Sequence, residues 1–146
     1  MCGAASGQGR KPVVMIVDDD EDFVAMNQAL LEANGYEVVA AYTGHEALSK
    51  VATVRPDVIV LDIMMETWSQ GMDVADKLRR QPGTRGTPIL VVSSLNLRSP
   101  FRDMVPAEDA LKADAYIVKP VLPGKLLQTI GELAAKRRDG TQREER

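Results

Sequence analysis

The sequence has very few of the residues that build disulfides and zinc sites. Cys2 is the only cysteine and His45 the only histidine among its 146 residues. An intramolecular disulfide is therefore excluded, and a zinc site, which usually combines several cysteines and histidines, is not expected.

Long apolar runs and an excess of positive charge are missing as well. No run approaches the roughly 18 apolar residues of a membrane-spanning helix, and residues 1–12 lack the apolar segment of a signal peptide. The 18 lysines and arginines are outnumbered by 21 aspartates and glutamates, whereas a nucleic-acid-binding module usually carries a basic surplus. We expect a cytoplasmic protein whose partners include neither membranes nor nucleic acids.

The remaining composition is that of an ordinary globular domain. Apolar residues make up 45% of the chain and charged residues 27%, and this length suffices for one hydrophobic core but not for two domains of usual size. We predict a folded domain over residues 13–138, a flexible segment over residues 1–12 and a flexible, charged tail over residues 139–146.

Five short segments have the character of β-strands. Four of them are continuous and rich in β-branched residues, and a fifth is less apolar. The four cover residues 13–17, 58–61, 89–92 and 116–118, and the fifth covers residues 37–42. Continuous apolar runs are typical of parallel strands that are buried on both faces.

Helical signals lie between these segments. Asn34-Gly35 predicts the end of a first helix, Thr43 and Glu46 predict a capping box at the start of a second, and Pro123 suits the first turn of the last. Strand and helix alternate five times, which predicts an α/β protein. We expect a flavodoxin-like, doubly wound (βα)5 sandwich whose five-stranded parallel sheet has the order 2-1-3-4-5.

Charged and hydroxyl residues follow the predicted strands at their carboxyl ends, where open parallel sheets bind ligands. After strands one, three, four and five come Asp18-Asp19-Asp20, Asp62, Ser93-Ser94 and Lys119-Pro120. Strands one and three would be neighbours at the point where the winding direction reverses. The acids that follow them are therefore predicted to meet in one pocket.

Carboxylates that lie this close repel one another, and a divalent cation would relieve the repulsion. Ligands that are all oxygens favour Mg²⁺ over zinc. A cation, a nucleophilic carboxylate, a lysine and a hydroxyl together indicate a phosphoryl-transfer site.

The motifs Val17-Asp18-Asp19, Leu61-Asp62, Val92-Ser93 and Val118-Lys119-Pro120 resemble those of the receiver domains of bacterial two-component response regulators. The resemblance covers residues 13–138. It implies a stand-alone receiver, a monomer or weak homodimer, that takes a phosphoryl group from a histidine kinase or phosphotransfer protein and signals to an unknown downstream protein. Such a domain is not a metabolic enzyme but a phosphoacceptor that assists its own phosphorylation and dephosphorylation.

The resemblance also implies a role for each residue of the acidic pocket. Asp62 would be the phosphoacceptor. Mg²⁺ would be bound by Asp18, Asp19, Asp62 and the backbone carbonyl of Met64.

Three further residues would respond to the phosphoryl group. Lys119 would pair with one phosphoryl oxygen, and Ser93 would hydrogen-bond another. Ser93 and the switch aromatic Tyr116 would pass the change to the surface. The bond between Lys119 and Pro120 would be a cis peptide.

Two segments depart from the family pattern. After Asp62 the usual proline is missing and the loop, residues 64–71, is longer, so Trp68 is predicted to lie in a loop. Pro100 and Pro106 interrupt the segment 94–114, which predicts a short or displaced helix over residues 107–112.

Two alternative functions stay open. Asp18 and Asp20 after an apolar strand also resemble the nucleophile and acid of haloacid-dehalogenase-type phosphohydrolases, but that family needs threonine or valine where Asp22 stands, and Asp62 would have no role. The second alternative is a receiver-like interaction scaffold that no longer takes phosphate. The complete set of acidic residues argues against it.

Overall fold

The computed structural model describes residues 11–62, 68–93 and 113–144 of the chain. Within these ranges the chain forms five strands and four helices. The strands are β1 (Val13–Val17), β2 (Glu37–Ala41), β3 (Val58–Asp62), β4 (Ile89–Ser93) and β5 (Ala115–Val118). The helices are α1 (Glu21–Ala33), α2 (Gly44–Val54), α3 (Trp68–Arg80) and α4 (Pro123–Glu144).

All five strands are parallel and form one sheet in the order β2-β1-β3-β4-β5. This confirms the flavodoxin-like fold and the strand order that the sequence predicts. Val17, the last residue of β1, pairs with Ala41 on one side and with Leu61 on the other. The winding direction reverses between β1 and β3, so the residues that end these strands meet at one edge of the sheet.

Helices cover the sheet on both faces because alternate residues of each buried strand point to opposite sides. On one face, α2 and α3 pack against the strands through side chains such as Val51 and Leu78. On the other face, α1 and α4 do so through side chains such as Leu31 and Ile130. Each fully buried aliphatic side chain contributes about 1.5–3 kcal/mol to folding, and these two layers hold the strand ends in place.

The ends of α1 are set by local hydrogen bonds. Asp20 is the N-cap, and its carboxylate accepts hydrogen bonds from the backbone N–H groups of Asp22 and Phe23. At the other end, Gly35 has a φ of +93°, a conformation that favours glycine. The predicted stop at Asn34-Gly35 is confirmed.

The capping box at the start of α2 is also confirmed. The Thr43 hydroxyl accepts a hydrogen bond from the Glu46 N–H at 3.0 Å. In return, the Glu46 carboxylate accepts one from the Tyr42 N–H at 2.7 Å, one residue before the position used in the usual box. The helix ends at Val54, and its C-cap Arg55 is in the left-handed region with φ 53°.

Two helices extend further than the sequence predicts. The placement of Trp68 in a loop is wrong, because Trp68 is the first residue of α3; packing of α3 through Val74 and Leu78 outweighs the cost of about 1 kcal/mol for Gly71 inside the helix. The helix α4 continues to Glu144, beyond the predicted domain end at residue 138. The helix predicted over residues 107–112 and the segment 1–10 lie outside the described residues.

Among the described helices, none combines the length and the apolar character that crossing a bilayer requires.

Candidate functional site

Three aspartates from two neighbouring strand ends form the centre of the candidate site. Asp18 and Asp19 directly follow β1, and Asp62 is the last residue of β3. One carboxylate oxygen from each of the three lies within 4.8 Å of the other two. Asp18 and Asp62 are only 1% and 5% exposed, whereas Asp19 is exposed. The cluster therefore combines two buried carboxylates with one that faces solvent.

Lys119 follows β5 and reaches into this cluster from two strands away. Its ammonium donates a hydrogen bond of 2.9 Å to the Asp18 carboxylate. The same Nζ atom lies 3.7 Å from the Asp62 carboxylate, an ion pair beyond hydrogen-bond distance. The peptide bond between Lys119 and Pro120 is cis, which is the isomer that the resemblance implies.

The pKa of the Lys119 ammonium is raised above its ordinary value. Burial lowers this pKa, but the hydrogen bond to Asp18 and the negative charges of Asp62, Asp18 and Asp20 together outweigh the burial. Lys119 therefore keeps its positive charge at neutral pH and partly balances the three carboxylates.

Three hydrogen bonds, two of them with backbone groups, fix the position of Asp18. Its Oδ1 atom accepts a hydrogen bond of 2.9 Å from the Asp20 N–H, while its Oδ2 atom accepts the one from Lys119. The Asp18 N–H donates to the carbonyl oxygen of Ala41 at 3.0 Å, which continues the pairing of β1 with β2 by one residue. Both carboxylate oxygens of Asp18 are thus held at the edge of the sheet.

The donor set of this cluster fits a magnesium ion. Mg²⁺ prefers octahedral oxygen ligands at 2.0–2.1 Å, so the oxygens around it lie about 3 Å apart when adjacent and about 4.2 Å apart when opposite. The three aspartate oxygens lie within 4.8 Å of one another, close to the spacing of ligand oxygens around one ion. The exposed side at Asp19 leaves room for the waters that Mg²⁺ usually keeps.

The other residues of the predicted site are placed only in part. Ser93 ends β4, and its backbone pairs with Val118 of β5, so it lies at the same sheet edge as Asp62. Its hydroxyl and the whole of Met64 lie outside what the structure describes, and their roles stay predictions. Tyr116 lies in β5 and is partly buried against the core on the side of α2 and α3.

Sequence reasoning missed one residue of the site, the aromatic Phe23 in the first turn of α1. The Lys119 Nζ atom lies 4.3 Å from the centre of the Phe23 ring. The helical spacing places Phe23 on the buried face of α1, where an aromatic is ordinary core packing. No local signal separates such a residue from one that also contacts a lysine beyond the last strand.

The sequence matches the family of the response regulator receiver domain over residues 14–131. It is 38% identical over 110 residues to the alkaline phosphatase synthesis transcriptional regulatory protein PhoP of Bacillus subtilis. The aligned region makes up 75% of this chain but only 43% of PhoP. It is 31% identical over 120 residues to the polar-differentiation response regulator DivK of Brucella anthropi. That aligned region makes up 80% of this chain and 91% of DivK. The chain thus spans less than half the length of PhoP and nearly the whole of DivK.

The fold is similar to that of solved receiver domain proteins. The crystal structure of a CheY-like response regulator receiver domain protein from Methanospirillum hungatei superposes with a TM-score of 0.77 at 27% identity. The match covers 90% of this chain and 99% of the other.

Proposed function

The chain belongs to the response regulator receiver domain family, and from this premise we propose that it is a Mg²⁺-dependent phosphorylation switch whose phosphoacceptor is Asp62. Members of this family are signalling domains of two-component systems and not metabolic enzymes. The observation that carries the proposal is the position of Asp62. It is buried at 5% exposure, beside two further carboxylates and 3.7 Å from the ammonium of Lys119.

The proposed reaction is the transfer of a phosphoryl group from a histidine to a carboxylate. An oxygen of Asp62 forms a bond to phosphorus while the bond from phosphorus to the donor histidine nitrogen breaks, and the nitrogen keeps the bonding electrons. Asp18, Asp19 and Asp62, with the Met64 carbonyl, would hold the magnesium ion, which supplies positive charge against the phosphoryl oxygens when bound.

Lys119 would neutralise charge on the opposite side of the phosphoryl group. Its ammonium already lies 3.7 Å from Asp62, so a short movement of a flexible side chain brings it to an oxygen carried by that residue. Ser93 would hydrogen-bond a second oxygen. Phosphorylation shifts a two-state equilibrium only through such differential contacts, and Ser93 and Tyr116 would carry the shift toward the surface.

The proposed reaction requires a protein that donates the phosphoryl group and a second protein that binds the phosphorylated domain. The donor would be a histidine kinase or a phosphotransfer protein, and the phosphorylated domain would bind a downstream protein. We also propose a cytoplasmic location and a monomer or weak homodimer.

Phosphorylation of the purified protein tests the proposal. With Mg²⁺ and acetyl phosphate, mass spectrometry of the intact protein should show a gain of one phosphoryl group, which peptide mapping places on Asp62. The group should be absent from Asp62→Asn and when EDTA replaces Mg²⁺. It should persist in Asp73→Asn, which changes an exposed aspartate whose Lys77 ion pair lies on the surface of α3.

The same experiment separates the two alternative functions. A phosphohydrolase of the haloacid-dehalogenase type would release inorganic phosphate over many turnovers. An interaction scaffold would neither gain the group nor consume the donor. Either of these results in the wild-type protein would contradict the proposed function.

A further inference from the structure

The ring of Phe23 lies against the lysine that serves the proposed phosphoacceptor. We propose that Phe23 is a positioning residue, which holds the Lys119 ammonium between Asp18 and Asp62 by a cation–π contact. This inference rests on the proposed function, because it assigns Phe23 a part in the same reaction. The contact distance is 4.3 Å from Nζ to the ring centre, well inside the limit of about 6 Å for such contacts.

Lys119 needs such support because the carboxylates alone do not restrain it fully. Its side chain is 22% exposed, and the flexible four-carbon stem of a lysine lets the ammonium move out to water. One N–H group is engaged by Asp18 at 2.9 Å, while Asp62 lies at 3.7 Å. An aromatic face attracts the ammonium without accepting a conventional hydrogen bond, so the N–H donors stay directed at the carboxylates and at any phosphoryl oxygen on Asp62.

The position of the ring is itself coupled to the acidic cluster. The Phe23 N–H donates to the Asp20 carboxylate at 3.2 Å, and the Asp20 N–H donates to Asp18 at 2.9 Å. On the other side, the Phe23 carbonyl accepts a hydrogen bond of 2.8 Å from Asn27, which is only 4% exposed. The ring packs partly against the core that α1 shares with α4. These contacts fix the backbone position from which the ring reaches the lysine.

The size of the effect follows from the usual strength of such contacts. Cation–π contacts at partly buried sites correspond to about a three- to tenfold change in the population of the held conformer. We therefore expect Phe23→Leu, which keeps the apolar bulk but removes the aromatic face, to slow phosphorylation by acetyl phosphate by about three- to tenfold. Phe23→Tyr, which keeps the ring, should retain the wild-type rate.

A double-mutant cycle separates positioning from a general structural effect. If Phe23 acts through the charge of Lys119, the Phe23→Leu change should have no further effect on the rate in a Lys119→Met background. An equal loss in both backgrounds would overturn the proposal, as would a wild-type rate for Phe23→Leu alone. Thermal unfolding of each variant confirms that it is folded. Met26→Leu, an exposed position on the same helix at 64% exposure, serves as the matched control.

A second readout does not depend on phosphorylation. In NMR spectra the methylene protons of Lys119 next to Nζ should be shifted by the ring current of Phe23. The shift should be lost in Phe23→Leu and kept in Phe23→Tyr. If the shift is present but the wild-type protein takes no phosphoryl group, the proposed function fails and the role of Phe23 fails with it. If phosphorylation proceeds but the shift is absent, only the positioning by Phe23 is refuted.

Discussion

At the scale of single residues, the candidate site places three carboxylates beside one ammonium. Asp18 and Asp62 are both buried, and the ammonium of Lys119 lies near both of them. Asp19 adds a third negative charge on the exposed side. When one partner of a buried ion pair is removed, the charge left behind is costly because it has neither water nor a counter-ion. The stability of the metal-free protein should therefore depend on Lys119.

Replacement of this lysine tests the dependence. Lys119→Met keeps an unbranched side chain of similar length but removes its charge, and it should lower the free energy of unfolding in metal-free buffer by about 2–3 kcal/mol. We place the loss below the usual range for fully buried pairs because the lysine side chain is 22% exposed. Urea denaturation measures it.

Magnesium provides the second half of this test. A cation that binds only the folded state stabilises it, and Mg²⁺ would replace the missing positive charge. Added Mg²⁺ should therefore stabilise Lys119→Met more than the wild type. Lys77→Met, which breaks an exposed ion pair on α3, should cost at most about 0.5 kcal/mol and respond to Mg²⁺ as the wild type does. Equal stability of Lys119→Met and wild type without metal would contradict the assigned charge balance.

At the scale of secondary structure, each element that carries the site is held by ordinary local interactions. The N-cap Asp20 starts α1 next to the acidic cluster, and the paired strands β1 and β3 end together. The long helix α4 covers the same face of the sheet as α1, and it contains Gly131 in its interior. Glycine inside a helix loses more backbone freedom on folding than alanine does.

Gly131→Ala should therefore stabilise the protein by about 0.5–1 kcal/mol. An added Cβ atom would lie 3.6 Å from the hydroxyl oxygen of Tyr36, which is an ordinary van der Waals contact. Thermal or urea unfolding measures the gain. Gly124→Ala, in the first turn of the same helix and with open space around it, should gain less. A loss of stability in Gly131→Ala would mean that Tyr36 cannot accommodate the methyl group.

At the scale of the whole molecule, the two edges of the sheet carry different clusters of charged residues. The carboxyl ends of the strands carry the acidic cluster. At the amino ends of β4 and β5, the Asp114 carboxylate accepts hydrogen bonds from Arg79 at 2.6 Å and from the Ile89 N–H at 2.9 Å. Arg79 also donates to the carbonyl oxygens of Arg85 and Thr87. This second cluster ties α3 to the sheet far from the proposed chemistry.

Asp114→Ala should therefore reduce stability and leave the chemistry unchanged. The loss of its charge-assisted hydrogen bonds should cost about 1–2 kcal/mol, reduced because the carboxylate is 24% exposed. The rate of phosphorylation by acetyl phosphate should stay within about twofold of the wild type at temperatures where the variant is folded. Asp73→Ala, which removes a surface ion pair of the same helix, is the matched control. A large loss of phosphorylation in folded Asp114→Ala would show that the two edges are coupled.

The fold class, the strand order and the residues at the strand ends could all be predicted from the amino-acid sequence alone. These depend on local patterns, since continuous apolar runs specify buried parallel strands and the chemistry of open sheets lies at their carboxyl ends. The family followed from the same strand-end motifs and agrees with the match over residues 14–131. Boundaries were less predictable, because packing of α3 against the sheet decides whether Trp68 belongs to a helix.

The pairing of the charges in the site could not be predicted, because it depends on contacts between distant parts of the sequence. Lys119 bonds Asp18 at 2.9 Å across 101 positions of sequence and lies farther, at 3.7 Å, from Asp62. The contact between Lys119 and Phe23 likewise joins the end of β5 to the first turn of α1. Such distances depend on how strands and helices stack after folding, and the residues themselves carry no local signal for them.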